Sequence, residues 1–449
     1  MIYSHFSSVL DSFTLHTHGK VVLALSGGVD SRVLLHLLAH YRSKHPSLIC
    51  QVVHVHHGLS DNADSWSEQC AVWCEEYSFD FKVERVTLNL GNQISTEQEA
   101  RVHRYQVLEK YVAEGDVLLT GQHATDQVET FLLALKRGSG PKGLSSMPVS
   151  TVFSQGHLVR PLLAISRQQV YQFAQDEKLD WLEDESNNDI KFDRNFLRHH
   201  VVPVLTERWP EIEKSVGRSA KLCAEQEQLV NELLEEKLSF CLQADKSLAI
   251  DALSQQSELA RKQLIRMWLK RQSCLMPSYK QLELIWSEVA QAKKDANPTL
   301  GIASGTIRRF QHALYFVAPH CDVSHWTGEL HWQQPLKLPD NLGELLFVSI
   351  ERSQAEGTAN ERVEKMTLRT PSEEETVSVT FAPEGLLAHP ATRTHSRKLK
   401  KLYQEYGVPT WLRKRTPIIM YNDKIAMVGD LFVDKNFHGH DCEIVWNKV

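Results

Sequence analysis

The stretch Val21-Val22-Leu23-Ala24-Leu25-Ser26-Gly27-Gly28-Val29-Asp30-Ser31-Arg32-Val33-Leu34 decides the architecture of the first part of the chain. Residues 21–25 are an unbroken apolar run, the pattern of a strand covered on both faces. Residues 32–40 carry Val33, Leu34, Leu37 and Leu38 at helical spacing. Between them, Gly27 and Gly28 let the main chain turn tightly and approach a ligand with no Cβ in the way. The N–H groups of a helix start, at the positive end of the helix dipole, favour a bound phosphate. Ser26 and Ser31 add hydroxyl donors, and the amide of Val29 falls within the same turn. Asp30 cannot donate to phosphate. It either caps the helix or holds a hard cation beside the phosphates. A plain glycine turn is the competing reading. No Gly-Lys-Ser/Thr follows, so this is not a Walker loop.

Outward from this loop, strand and helix signals alternate. Residues 49–55 and 81–86 read as strands, 65–77 as a helix between them. Thr96-Glu97-Gln98-Glu99 has the form of a capping box and predicts a helix through Val112. Residues 117–120 read as a strand and 125–136 as a helix, ended by Gly138 and Gly140. Alternation of this kind implies right-handed crossovers and an α/β fold with a doubly wound, mostly parallel sheet. Ligands of such sheets lie at the carboxyl ends of the strands. After Trp209-Pro210 the pattern changes. Residues 212–242, 258–271 and 279–293 read as helices, and 307–317 as a strand or strand pair. Residues 333–364 read as a connection, and β-like runs return at 418–421, 425–428 and 431–433. The expected domains are 1–216, a catalytic α/β unit; 217–355, a helical middle domain with its connection; and 356–449, a small α+β terminal domain.

The 449 residues are 42% apolar and 24% charged, which excludes extensive disorder, and the length suffices for a sizeable core. No apolar run approaches the ~20 residues of a membrane span. The first residues lack a basic stretch followed by an apolar one, so no secretory signal is expected. Eight cysteines are too sparse for a disulfide scaffold, and none has metal-ligand spacing. Cys70 and Cys74, i and i+4 beside Trp66, Trp73 and Tyr77, read as a buried helix stripe. A reducing cytoplasm fits this usage. The formal net charge of −6 argues against a uniformly basic nucleic-acid binder, but leaves room for local basic patches.

The string Ser-Gly-Gly-x-Asp-Ser after a buried strand resembles the signature of the PP-loop pyrophosphatases, which split ATP into AMP and pyrophosphate to activate a carbonyl oxygen. Further strings narrow the resemblance. They are His54-Val55-His56-His57-Gly58-Leu59, Glu99-Ala100-Arg101 with Arg104-Tyr105, and Gly121-Gln122-His123-Ala124-Thr125-Asp126-Gln127-Val128-Glu129-Thr130. Arg137-Gly138-Ser139-Gly140-Pro141-Lys142-Gly143-Leu144, Arg160-Pro161-Leu162-Leu163, Ser166-Arg167, Glu183-Asp184-Glu185-Ser186-Asn187 and Arg194-Asn195 with Arg198 follow. In this order they closely resemble the tRNA(Ile)-lysidine synthetase family over the first ~210 residues. The later regions are similar to the family's long form. That family usually has His-His-x-Asp-Asp-Gln after the fourth strand. Here Gln122 and Thr125 replace the first His and the first Asp, and His56 replaces an Asp or Asn in the second-strand motif.

The resemblance implies an ATP-dependent carbon–nitrogen ligase. The 2-carbonyl oxygen of the wobble cytidine of a tRNA(Ile) with a CAU anticodon attacks the α-phosphate of ATP. The ε-amine of free L-lysine then displaces AMP to give lysidine. ATP and Mg²⁺ are the implied cofactors, with Asp30 the expected metal ligand and Asp126 the second. The loop residues Ser26, Gly27, Gly28, Val29, Asp30 and Ser31, with His57, are the expected nucleotide contacts. An ammonium has no lone pair, so the second step needs a carboxylate to hold lysine and take its proton. Asp126 and Glu129, i and i+3 on one helix face, are expected there beside Asp30 as catalytic groups. Helix capping and a solvated helix side are their alternatives.

Arg101 and Arg104 could clamp phosphate or tRNA, or form a solvated face pairing with Glu97 or Glu99. His57 could instead close the strand end. Asp184, Glu185, Arg194 and Asn195 read as a polar network about substrate or as a structural loop network. Arg137 to Lys142 suits an RNA backbone or a moving lid, or is a plain connection. For tRNA, Arg393, Arg397, Lys398, Lys400, Lys401, Arg413, Lys414 and Arg415 form the clearest basic run, interleaved with Tyr403, Tyr406 and Trp411. A solvated cationic helix face is its alternative. Two rival functions remain at this level: a PP-loop tRNA thiolase, which would want paired cysteines, and a non-catalytic RNA-binding protein with a degenerate loop. No membrane partner is expected, and the oligomeric state, homodimer included, is left open.

Overall fold

The structure is a computed structural model and describes residues 2–14, 19–58, 60, 62–86, 96–293, 296–349 and 366–448. The chain divides into two compact units, Met1–Leu233 and Leu234–Val449.

The first unit is built on a six-stranded sheet. Its elements run α1 (Ile2–Thr14), β1 (Val21–Ala24), α2 (Val29–Lys44), β2 (Cys50–His56), α3 (Ala63–Glu76), β3 (Asp80–Arg85), α4 (Thr96–Glu109), β4 (Val117–Leu119), α5 (Ala124–Lys136) and α6 (Pro141–Leu144). β5 (Ser150–Phe153), β6 (Gly156–Val159), α7 (Arg167–Asp176), α8 (Asp193–Phe196) and α9 (Val202–Arg208) follow, and then α10 (Ile212–Cys241), whose residues from Leu234 on belong to the second unit. The strand order is β3-β2-β1-β4-β6-β5, all parallel except β5, which pairs antiparallel with β6 at the edge. This is the doubly wound, mostly parallel sheet expected. Val21, Leu23 and Leu25 face one core with Phe6, Leu10, Val33, Leu34, Leu37 and Leu38. Val22, Val53, Leu118 and Leu158 face the other with Leu108 and Val112. An apolar run that buries both of its faces is what a parallel strand requires.

Several elements differ from expectation. α1 and the β5–β6 hairpin were not anticipated, although Ile2, Phe6, Leu10 and Phe13 stand at helical spacing along α1. α4 ends at Glu109, not Val112. The side chains of Thr96, Glu97 and Gln98, which carried the capping-box reading, lie outside the described residues, as does Leu59 of the second-strand motif.

In the second unit the helix Glu258–Arg271 forms as expected, with Ser257 accepting from the Ala260 N–H at its start. The helix from Tyr279 runs to Leu284 and continues as a π-helical turn over Ile285–Ala290. Residues 307–317 fold as a hairpin, Gly305–Phe310 against Ala313–Val317. The stretch 333–364 is not a plain connection. Its residues Glu344–Ser349 form a strand paired along its whole length with Cys442–Asn447, burying Leu345 and Phe347. Thr327–Glu329 likewise pairs with residues 378–380. The terminal sheets therefore take strands from before residue 356. Residues 350–364 of the stretch lie outside the described residues.

Candidate active site

β1 and β4 are neighbours, and the chain leaves them toward opposite edges of the sheet. The loops after these strands therefore face each other across the switch point, where a ligand of such a sheet binds. They touch. A Cβ on Gly121, in the loop after β4, would come within 3.2 Å of Asp30 Cβ and of the Ser31 nitrogen.

The first loop is shaped from inside. Ser31 Oγ accepts from the Ser26 N–H at 3.2 Å and the Gly27 N–H at 3.1 Å, and donates to the Gly28 carbonyl at 2.9 Å. Ser26 Oγ lies 3.1 Å from the same oxygen. Ser31 thus holds the bend rather than offering its hydroxyl outward, and the Ser26 and Gly27 amides are already engaged. What remains for an anion is the first turn of α2 through Val29 and Asp30. Its leading amides have no intrahelical partner. The extended N-cap residue Gly28 supplies no side-chain cap. Gly27 has φ +92°, and its carbonyl accepts from Leu182 N–H at 3.0 Å. A Cβ there would lie 2.7 Å from Leu182 Cδ1. Gly27→Ala is therefore expected to cost roughly 1–2 kcal/mol and to weaken ATP binding, read by thermal melting and nucleotide titration.

Asp30 is about one-third exposed, yet its Oδ1 is buried with no hydrogen-bond partner. Burial pushes its pKa up, against the pull of His123. His123 Nε2 lies 3.7 Å from Asp30 Oδ1 and 3.5 Å from Asp126 Oδ2, and its own Nδ1 is buried without a partner.

Asp126 reaches back to accept the His123 N–H at 3.0 Å, so the capping alternative holds together with its place beside Asp30. Its Oδ1 receives Arg198 at 3.0 Å and Arg194 at 3.4 Å. Burial would raise its pKa, but His123 and the two guanidinium groups outweigh this and lower it. Glu129, fully buried, is not a solvated side chain. Arg194 Nε donates to its Oε2 at 2.7 Å and Arg198 Nε to its Oε1 at 2.7 Å. The pair is brought from α8 and the π-helical turn Leu197–Val201. The sequence left Arg194 between a network about substrate and a structural one; here it holds the carboxylates of α5. Burial disfavours the Arg198 charge, but Glu129 more than offsets this, and the pKa is raised.

The other expected residues divide. His57 sits at the strand end with its Nδ1 buried and unpartnered, and Arg104 Nε reaches its Nε2 at 3.4 Å. Burial, then Arg104, drives its pKa down to about 4, so the ring is neutral. Arg101 is exposed and stacks over Tyr105 at 5.1 Å. Glu99 pairs with His103 instead, at 3.9 Å, and the Glu97 side chain lies outside the described residues. Asn195 closes a structural loop through the Ser186 and Asp189 carbonyls, and Asp184 caps that loop at Ser186 N–H. Arg137 and Lys142 are exposed at the end of α5 and in α6. His56 pairs with Asp64 at 3.3 Å, and Gln122 accepts from Thr120 Oγ1 at 2.6 Å. Sequence reasoning missed Leu182, which braces the loop, and gave His123 no role although it stood in the quoted motif.

In the second unit, Lys398, Lys400 and Lys401 are exposed, with no ion-pair partner among the described residues. Arg393 and Arg397 both hold Glu405. Arg413 folds back on the Val408 carbonyl at 3.0 Å, and Arg415 pairs with Asp340 at 2.6 Å. Those two are structural contacts within this unit. Tyr403 is buried and cannot stack on a base. Tyr406 stacks on Phe432, and Trp411 packs edge-on against Phe310 and Tyr315.

A parallel sheet with a Ser-Gly-Gly-x-Asp-Ser loop at its switch point defines a PP-loop ATP-binding protein, and residues 2–205 match the PP-loop domain family. Residues 248–315 match the TilS substrate binding domain and 377–447 the TilS substrate C-terminal domain. The chain is 52% identical over 456 residues to the tRNA(Ile)-lysidine synthase of Vibrio campbellii, covering 100% of this chain and 99% of that relative. It is 53% identical over 447 residues to that of Vibrio parahaemolyticus, with the same coverage. The chain belongs to the tRNA(Ile)-lysidine synthase family. Among solved structures, the U34-tRNA thiolase NcsA from Methanococcus maripaludis is similar at 18% identity and a TM-score of 0.43, over 50% of this chain and 78% of that one. All eight cysteines here are free, and no helix among the described residues is long and apolar enough to cross a membrane.

Proposed function

We propose that this chain is an ATP-dependent ligase that converts the wobble cytidine of tRNA(Ile) with a CAU anticodon into lysidine, using free L-lysine, in the cytoplasm. The observation that carries the reading is the uncapped first turn of α2 set beside the partnerless oxygen of Asp30, at the point where the two loops meet.

In the first step the cytidine oxygen attacks the α-phosphate and pyrophosphate leaves, so positioning and charge stabilisation dominate. The free amides at the start of α2 hold phosphate oxygens. A hard cation fits Asp30, whose buried oxygen no protein group satisfies. Mg²⁺ commonly takes one or two carboxylates plus substrate phosphates, and when bound it neutralises phosphate charge. Asp126 is the second candidate ligand, although each of its oxygens already accepts a hydrogen bond.

In the second step lysine must react as a neutral amine. Asp126 is ionised at rest, as a proton acceptor must be, and His123 lies between it and Asp30, where a proton taken by either can be shared. Glu129 is too enclosed to touch substrate and is a positioning residue. Arg101, Arg104, Arg137 and Lys142 offer exposed charge for phosphate or RNA.

The test mixes purified protein, Mg-ATP, radiolabelled lysine and total bacterial tRNA. Label in the RNA is expected, and its absence sinks the reading. For the terminal basic run, replacing Lys398, Lys400 and Lys401 together with alanine is expected to weaken tRNA binding ~10-fold or more at moderate salt. The dependence of log affinity on log salt should flatten by about two to three. Equal salt slopes for variant and parent would remove these lysines from the RNA contact.

A further inference from the structure

The family pattern puts a carboxylate where this chain has Thr125, yet the structure does not leave that position without one. Glu213, at the start of α10 and 88 residues further along the chain, accepts a hydrogen bond from Thr125 Oγ1 at 2.6 Å. Thr125 is buried, and its hydroxyl oxygen in turn accepts from the Arg167 N–H at 3.4 Å, at the start of α7. Arg167 is near enough for its charge to act on Asp30. Three acidic side chains thus gather about the first turn of α5, and they are not equivalent. Asp126 and Glu129 are neutralised by Arg194 and Arg198. Glu213 is tied only to a neutral hydroxyl, is half-buried, and its Oε2 has no partner among the described residues. A carboxylate held only by a neutral group has no counter-charge of its own and gains from a cation.

We propose that Glu213 supplies from α10 the carboxylate that α5 lacks at position 125, and that it binds an ammonium group of the lysine substrate. The inference rests on the functional reading above. Thr125 is the positioning residue, aiming Glu213 through its hydroxyl. No bond is made or broken in this step: an ion pair replaces the hydration of both charges.

Steady-state lysidine formation tests this, with lysine, ATP and tRNA varied in turn. Glu213→Gln, nearly isosteric, is expected to raise the KM for lysine ~10-fold or more, the loss of one charge-assisted contact, and to leave the KM values for ATP and tRNA within about twofold. Thr125→Asp alone places two carboxylates at hydrogen-bond distance and is expected to impair lysine use too. The double variant Thr125→Asp, Glu213→Ala moves the charge back onto α5 and should recover lysine KM to within about threefold of the parent. A purely structural Glu213 would show no such rescue and no selectivity for lysine. If the parent incorporates lysine but Glu213→Gln leaves its KM unchanged, or raises all three alike, this inference falls and the functional reading stands. If the parent incorporates no lysine, both fall.

Discussion

Asp30→Asn is expected to fold, to melt no lower than the parent in the absence of nucleotide, and to lose lysidine formation by roughly 10³-fold, the scale of removing one electrostatic contact to a reacting group. The direction follows from two observations. Burial raises the Asp30 pKa, so its charge is a burden on the ligand-free fold. Its Oδ1 has no hydrogen-bond partner, so replacing the carboxylate with an amide gives up only the 3.7 Å approach of His123. A group that weakens the empty protein in the uncapped first turn of α2 is a local conflict of the kind found at working sites. Melting curves and the lysine-incorporation assay check the two halves together. A variant that unfolds, or one that keeps more than a tenth of the parent's turnover, contradicts the assignment.

Glu129→Ala is expected to destabilise the first unit by about 3–5 kcal/mol, because it strands two guanidinium groups in a buried setting. Arg194 and Arg198 would be left with Asp126 alone, which each meets at 3.0 Å or more. Turnover should fall with stability, since α5 carries Asp126. Glu129→Gln keeps the shape and acceptor oxygen while removing the charge, and should cost less. The exposed pair Lys136–Asp193, which joins the end of α5 to α8 at 2.6 Å, is the control. Breaking it is expected to cost no more than about 1 kcal/mol. Equal losses at the two sites would mean that enclosure of Glu129 does not matter.

The sheet was legible in the sequence where one strand sufficed to show it. Residues 21–25 announced burial on both faces, and the glycines announced the bend. Pairing over distance was not legible. Residues 333–364 looked like a connection because Pro335, Pro339 and Gly343 break the pattern, and the strand Glu344–Ser349 is recognised only by its partner about 100 residues later. At the site, the motif located Asp30, Asp126 and Glu129, but i, i+3 spacing does not say what a helix face meets. The face of Glu129 met two arginines. Glu213 gave no signal at all, since its partner Thr125 reads as a mere departure from pattern until the two are seen in contact. In the basic run, charge alone could not separate Lys398, Lys400 and Lys401 from Arg413 and Arg415, which the fold uses internally.

The clamp on Glu129 has a consequence for the order of events during synthesis. Arg194 and Arg198 lie 65 and 69 residues downstream of the carboxylate they neutralise. A nascent chain that has cleared the ribosome only as far as α7 holds the whole sheet, yet must bury Glu129 with no counter-charge. The catalytic half cannot settle until about two hundred residues have emerged, so any fragment or frameshift ending before Arg194 should be soluble only with chaperone help and should be cleared rapidly by proteases.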